Sequence, residues 1–153
     1  MNTNPLPTAR ASTRGNYVLL RADTLRLLLP QDEVGAVEYL EARPRPRAQA
    51  GLFDMPQGDG VRSVAALSHH MTLMPTFPDD RFLVTSLAGA GDDIVWSWNE
   101  VKVLYDVTLQ PQTLPAVLRG PDMPVDEYVE ADDGIAYLCS AQRLGAFALA
   151  RRG

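Results

Sequence analysis

The chain has 153 residues, of which 46% are hydrophobic and 22% are charged. This composition is close to that of ordinary globular proteins and excludes a chain that is disordered throughout, and the length allows one hydrophobic core. The formal net charge of -5 argues against nucleic acid as a partner, because affinity for phosphates depends on clustered Lys and Arg side chains.

Cysteine content and hydropathy indicate the compartment. The one cysteine, Cys139, lies in an apolar run and cannot form an internal disulfide, so we expect it to fill part of the core. No apolar stretch is long enough to span a bilayer, and no signal-peptide pattern follows the first residue. The sequence therefore predicts a cytoplasmic protein without membrane insertion.

The chain opens with a segment that has no apolar period. Residues 1–15 are rich in Asn, Pro, Ser and Thr, which predicts a disordered tail followed by a single folded domain over residues 16–153. Residues 17–20 and 25–29 are short apolar runs separated by an Asp-Thr pair. This spacing predicts two strands joined by a tight turn.

Further short strands are predicted in the rest of the chain. They are residues 61–67, 81–87, 94–98, 101–107, 128–131 and 135–139. Apolar residues occupy every second position from Val101 to Val107, including Val103 and Tyr105. This alternation predicts a half-buried strand with these side chains on one face. Residues 68–80 are interpreted as a short helical turn or loop, and the Arg-Pro repeat at residues 43–47 as a solvated loop.

The two halves of the chain repeat one short pattern. Asp32-Glu33-Val34 follows the first strand pair, and Asn99-Glu100-Val101 follows a strand pair in the second half. Each unit has the size of a small five-stranded barrel, although a chance match of so short a word is the alternative. We therefore predict a mainly β (all-β) fold, with two packed five-stranded barrels at roughly residues 16–75 and 76–150 and a few short helical turns.

Residues suited to catalysis or metal binding are few. Adjacent side chains such as His69 and His70 diverge on a strand or a helix, so they are poorly placed to share one metal. Acidic doublets, including Asp79-Asp80, fall at predicted turns, where Asp bonds its own backbone. These patterns predict no catalytic, cofactor or metal site, hence no enzyme. The alternative is a β-barrel that binds a small ligand, or a hydrolase that uses His69 or His70 with Asp79 or Asp80.

Two further acidic doublets and a tryptophan pair complete the candidate features. Asp92-Asp93 and Asp132-Asp133 also fall at predicted turns, and the latter precedes Gly134 in a predicted hairpin. Trp96 and Trp98 lie two positions apart, so on a strand they face one side. Such a pair is either a core anchor or an exposed binding patch.

The order of these segments resembles the CheW family of bacterial chemotaxis adaptors over residues 16–149. The landmarks are residues 17–29 with Asp32-Glu33-Val34, Gly51-Leu52 with residues 64–67, residues 94–107 with Leu114-Pro115, and residues 129–138 around Asp133-Gly134. Two departures stand out. The usual Asn-Leu-Arg-Gly of the central turn is replaced here by residues 53–58, without a matching Arg, and Asn99 stands where an Asp is usual.

The resemblance implies two packed SH3-like barrels without an active site. It also implies an adaptor that bridges a CheA-type histidine kinase and the cytoplasmic tip of a chemoreceptor, or their equivalents in pilus motility. The positions that match the kinase-facing contact of the first barrel are Val34, Val37, Tyr39, Leu52 and Phe53. A position in the barrel core is the alternative for these side chains, Val34 and Val37 above all, whereas Phe53 lies beside a turn-rich loop and need not be buried.

Overall fold

The structure is a computed structural model that describes residues 12–47, 51–57, 60–91, 93–118, 123–131 and 134–150. Its strands are β1 Thr13–Ala22, β2 Leu25–Pro30, β3 Glu38–Tyr39, β4 Arg45–Pro46, β5 Leu52–Gln57, β6 Gly60–Ala66, β7 Leu83–Ser86, β8 Ile94–Trp98, β9 Glu100–Leu109, β10 Gln112–Thr113, β11 Val125–Ala131 and β12 Gly134–Cys139. Helical structure in this part of the chain comprises two 3-10 turns, Gln31–Glu33 and Ala116–Leu118, and α1 Ala141–Ala150. The prediction of a mainly β chain is confirmed.

The strands form two mixed six-stranded sheets. The first has the order β10-β11-β12-β2-β1-β9, and the second has the order β3-β7-β8-β6-β5-β4. Strands β12 and β2 run parallel, as do β6 and β8, while the other neighbours pair antiparallel. Neither sheet closes on itself within the described residues, so the pair of SH3-like barrels stays a prediction.

Neither sheet is built from one contiguous half of the chain. Strands β1 and β2 join β9 to β12 in the first sheet, and the second sheet uses only the middle of the chain. Pairing of β1 with β9, over Thr13 to Arg21, joins the first strand to residues 100–109 of the second half of the chain. The strands therefore do not divide between the sheets near residue 75.

Two segments differ from the sequence-based prediction, and a further part of it lies outside the described residues. Strand β1 begins at Thr13, so residues 13–15 of the expected tail lie in the first sheet, while residues 1–11 lie outside the described residues. The Arg-Pro loop contains the edge strand β4, which pairs with Phe53 and Asp54 of β5. Asp92, Asp132 and Asp133, from two of the acidic doublets, also lie outside the described residues.

The main core fills the space between the two sheets. Alternate side chains of β1 and β2, such as Leu20 and Leu27, meet Trp96 and Trp98 of β8, and helix α1 adds Leu144. Both tryptophans are fully buried, which settles their position as core anchors. The opposite face of each sheet covers a smaller apolar cluster, one around Leu28 and one around Phe53.

Strand β9 departs from the predicted alternation because it lies at the sheet edge and carries a bulge. The backbone at Asp106 has φ 53°, and its N–H donates to Oδ1 of Asn16 at 2.7 Å. The register with β1 shifts at this point, and Leu104 packs into the smaller cluster of the first sheet. Val103 and Tyr105 are exposed instead of half-buried.

Helix α1 packs against the loop between β7 and β8 without room for a side chain at Gly145. A Cβ atom there would lie 2.4 Å from Cβ and 2.8 Å from Cα of Ala90. We expect Gly145→Ala to lower the free energy of unfolding by about 2 kcal/mol, because this overlap outweighs the better helix propensity of alanine. Urea denaturation measures the change.

The matched control for that substitution is Gly15→Ala. A Cβ at Gly15 would meet Tyr17 at 3.7 Å, which is an ordinary van der Waals contact. We expect the Gly15 variant to unfold within about 0.5 kcal/mol of the unchanged protein. Equal stability of both variants would contradict the close packing of α1 on Ala90.

Candidate functional site

The five residues of the predicted kinase-facing surface divide into buried and exposed members. Val34 is half-buried against the main core and forms a β-bridge with Leu87. Val37 and Tyr39 are 46% and 68% exposed. The structure therefore keeps Val37 and Tyr39 available to a partner and gives Val34 a packing role.

Leu52 and Phe53 are both buried, which corrects their placement on a surface. They are neighbours on β5, so their side chains enter opposite clusters, Leu52 the main core and Phe53 the smaller cluster of the second sheet. The ring of Phe53 lies edge-on to Phe77, with centroids 5.3 Å apart. Phe53 therefore takes the core position that was the alternative, because the segment beside it pairs with β6 as a strand.

An exposed stacked aromatic pair lies at one edge of the second sheet. Tyr39 of the edge strand β3 stacks on Phe82, with ring centroids 6.1 Å apart and planes 11° from parallel. Phe82 is 49% exposed. The backbone N–H of Leu40 donates to the carbonyl of Phe82 at 2.7 Å and holds β3 beside β7. We refer to Val37, Tyr39 and Phe82 as the aromatic edge.

A small cavity adjoins the aromatic edge. It has a volume of about 120 Å³, and Phe82 shares its lining with Leu40, Phe77 and Pro44. At its rim Arg43 pairs with Asp79 and donates to the carbonyl of Phe77. An apolar recess with a charged rim beside exposed aromatic rings is the arrangement in which one partner side chain can be buried.

Phe82 is the residue of this surface that the sequence analysis missed. It precedes β7 directly, and nothing in its neighbourhood along the chain separates it from a core residue. Its contact with Tyr39 arises from pairing between β3 and β7, which are far apart in sequence. Only the register of that pairing could have identified it.

The alternative site of histidines and aspartates does not come together. His69 and His70 are exposed in the turn after β6, with ring centroids 3.9 Å apart, and they line a cavity of about 310 Å³. Asp79 pairs with Arg43 at the rim of the separate 120 Å³ cavity. The histidines and Asp79 therefore line different cavities, and this geometry does not support joint acid-base chemistry.

Metal-ligating and nucleophilic groups are sparse in the described part of the chain. No group of three or more His, Cys, Asp or Glu side chains there could hold a metal ion. Cys139 is buried, and burial raises the pKa of its thiol to about 12, although Arg143 acts in the opposite direction. A thiol with this pKa stays protonated at neutral pH and is a poor nucleophile.

A buried arginine links the two sheets. The side chain of Arg81 is fully buried, and its Nη2 atom lies 3.2 Å from Oδ2 of Asp23 in the β1–β2 turn. The contact is an ion pair without hydrogen-bond geometry, and neither Nη atom of Arg81 has a hydrogen-bond partner among the described residues. Burial lowers the pKa of Arg81, and the nearby Asp23 opposes this effect.

Asn99 organises the surroundings of Arg81. Its Oδ1 accepts from the backbone N–H of Asp23 at 2.6 Å and from Nε of Arg81 at 3.3 Å. Its Nδ2 donates to the carbonyl of Asp80 at 3.2 Å. A carboxylate could not make the last bond, because it has no donor. This gives a physical reason for asparagine at this position.

Glu33, in the acidic turn after β2, has a structural role. Its Oε1 accepts from the backbone N–H of Ala141 at 2.8 Å, at the start of helix α1. Its carbonyl accepts from the N–H of Ala88 at 2.9 Å. The acidic turn therefore fixes both the helix and the end of β7.

In the described residues, none of the helical segments combines the length and apolarity that a membrane crossing requires. No protein-family model matches the chain, and the search of curated proteins finds no match either.

Proposed function

We propose that this protein is a non-catalytic cytoplasmic adaptor that bridges a CheA-type histidine kinase and a chemoreceptor tip, or their counterparts in pilus motility. The observation that carries the proposal is the aromatic edge, at which the apolar side chains of Val37, Tyr39 and Phe82 are exposed in or directly beside the strands β3 and β7. Two of these three residues are positions that the resemblance to the CheW family assigns to a partner contact.

The exposed apolar surface of the aromatic edge favours burial against a protein partner. Tyr39 and Phe82 present large, rigid surfaces that gain free energy on burial at little cost in side-chain entropy. Tyrosine is enriched among interface hot spots, and an adjoining recess gives a partner side chain a place to anchor. Glu38, the neighbour of Tyr39 on β3, forms an ion pair with Arg62 at 3.0 Å, which places charged groups beside the aromatic edge.

The test measures affinity for a CheA-type regulatory domain and for a chemoreceptor tip from the same organism. We expect the double substitution Tyr39→Ser with Phe82→Ser to weaken binding of at least one of them by about 2 kcal/mol, roughly thirtyfold. Calorimetry or surface plasmon resonance gives the affinity, and circular dichroism gives the melting temperature of the same samples.

The chain provides a close control for this experiment. Tyr105, on edge strand β9 of the first sheet, is 67% exposed, almost as much as Tyr39. Tyr105→Ser should leave the affinity unchanged. No binding of the folded, unchanged protein to either partner would reject the adaptor proposal, and equal weakening by Tyr105→Ser would reject the aromatic edge as the contact.

A further inference from the structure

The cavity beside the histidine pair is independent of the aromatic edge. It has a volume of about 310 Å³ and lies where the first sheet, helix α1 and the turn after β6 meet. Leu25, Leu114 and Phe147 form part of its apolar lining. Its size is at the lower end of the range for small-molecule sites, which are mostly apolar with a few polar groups.

The turn that carries the histidines is held in a defined and strained shape. Oγ of Ser68 accepts from the backbone N–H of His70 at 3.1 Å and bonds Oγ1 of Thr72 at 2.8 Å. The carbonyl of Ser68 accepts from the N–H of Met71 at 2.9 Å. The side chain of Met71 is buried. Its backbone has φ 64°, in the left-handed region that is unfavourable for residues other than glycine. The turn thus places the imidazoles at the cavity while Met71 lines it.

The polar groups of this cavity favour a negatively charged head group. Each imidazole carries at least one N–H donor in every protonation state, and both histidines line the cavity. Among its described lining residues there is no carboxylate, although the whole chain has a net charge of -5. An anionic head group therefore meets donors at the histidines and no acidic lining residue.

We propose that this cavity binds a small amphipathic carboxylate, with its apolar tail among Leu25, Leu114 and Phe147 and its carboxylate at His69 and His70. A volume of about 310 Å³ corresponds to about ten groups of the size of a water molecule. Octanoate, a straight-chain carboxylate of this size, is the probe. The proposal does not depend on adaptor function, because the experiment contains no partner protein.

The test combines calorimetry with NMR of ¹³C-methyl-labelled methionine in the full chain. Octanoate should bind and shift the methyl resonances of Met71 and Met123, which line the cavity. The resonances of Met55 and Met74 should stay in place, because these residues pack on the smaller cluster of the second sheet. Octanol, which lacks the charge, should bind about tenfold more weakly than octanoate.

Two double variants assign the head group. His69→Ala with His70→Ala should bind octanoate no better than octanol, and both residues are exposed, so the variant should fold. Asp79→Ala with Asp80→Ala should retain octanoate binding. The proposal is overturned if octanoate does not shift Met71 and Met123, if octanol binds as tightly as octanoate, or if the folded histidine variant keeps full affinity.

Discussion

Phe53→Asp is expected to unfold the protein instead of selectively weakening a partner contact. Phe53 is 2% exposed and packs edge-on to Phe77 in the smaller cluster of the second sheet. Truncation of a buried phenylalanine costs about 3–5 kcal/mol, and burial of an unpaired carboxylate adds to this. We expect a loss of about 5 kcal/mol, comparable with the whole stability of many small domains. Thermal melting followed by circular dichroism measures it.

The matched control places the same charge on the aromatic edge. Tyr39→Asp also replaces an aromatic ring with aspartate, but Tyr39 is 68% exposed. Its melting temperature should remain within a few degrees of that of the unchanged protein. A Phe53→Asp protein that melts normally would mean that Phe53 lies at the surface and that β5 is wrongly paired.

Elements with a strong local pattern could be predicted from the sequence. The apolar runs on either side of Asp23 and Thr24 became β1 and β2, which pair from Tyr17 with Pro30 to Ala22 with Leu25. The hairpins β7–β8 and β11–β12 likewise follow from neighbouring strand patterns. In these cases the partner strand is next along the chain, so local periodicity and turn residues are sufficient information.

Features that depend on distant pairing could not be predicted in this way. Strand β5 contains Pro56 and follows Gly51, a composition that indicated a turn, yet pairing with β6 makes it a strand. The parallel pairs of β2 with β12 and of β6 with β8 have no local signature. Helix α1 was missed because its short, alanine-rich sequence has a weak polar face, and packing on the main core stabilises it.

The candidate site shows the same division. The sequence pointed to Val37 and Tyr39, but it could not separate them from the buried Leu52 and Phe53, since all four lie in apolar segments. It also could not find Phe82, whose contact with Tyr39 depends on the register of β3 and β7. Burial and cross-strand neighbours, not residue type, decide which apolar side chains reach solvent.

Asp23→Asn is expected to destabilise the protein strongly, because Asp23 neutralises the buried Arg81. Arg81 has a fully buried side chain, and Asp23 is its ion-pair partner at 3.2 Å. Removing one partner of a buried pair costs about 3–5 kcal/mol, and partial exposure of Asp23 places the expected loss at the lower end, about 3 kcal/mol. Asparagine tolerates the φ of 56° at this position, so backbone strain does not contribute. Urea denaturation at neutral pH measures the loss.

Arg81→Met separates the ion pair from simple packing. Methionine retains much of the buried apolar stem of Arg81, and the carboxylate of Asp23, 38% exposed, remains partly hydrated. This variant should lose about 1 kcal/mol, and the double variant Asp23→Asn with Arg81→Met should be more stable than Asp23→Asn alone. Additive losses in the double variant would show that the two side chains do not interact. In that case the link between the β1–β2 turn and the second sheet would rest on Asn99 and its hydrogen bonds to Asp23 and Asp80.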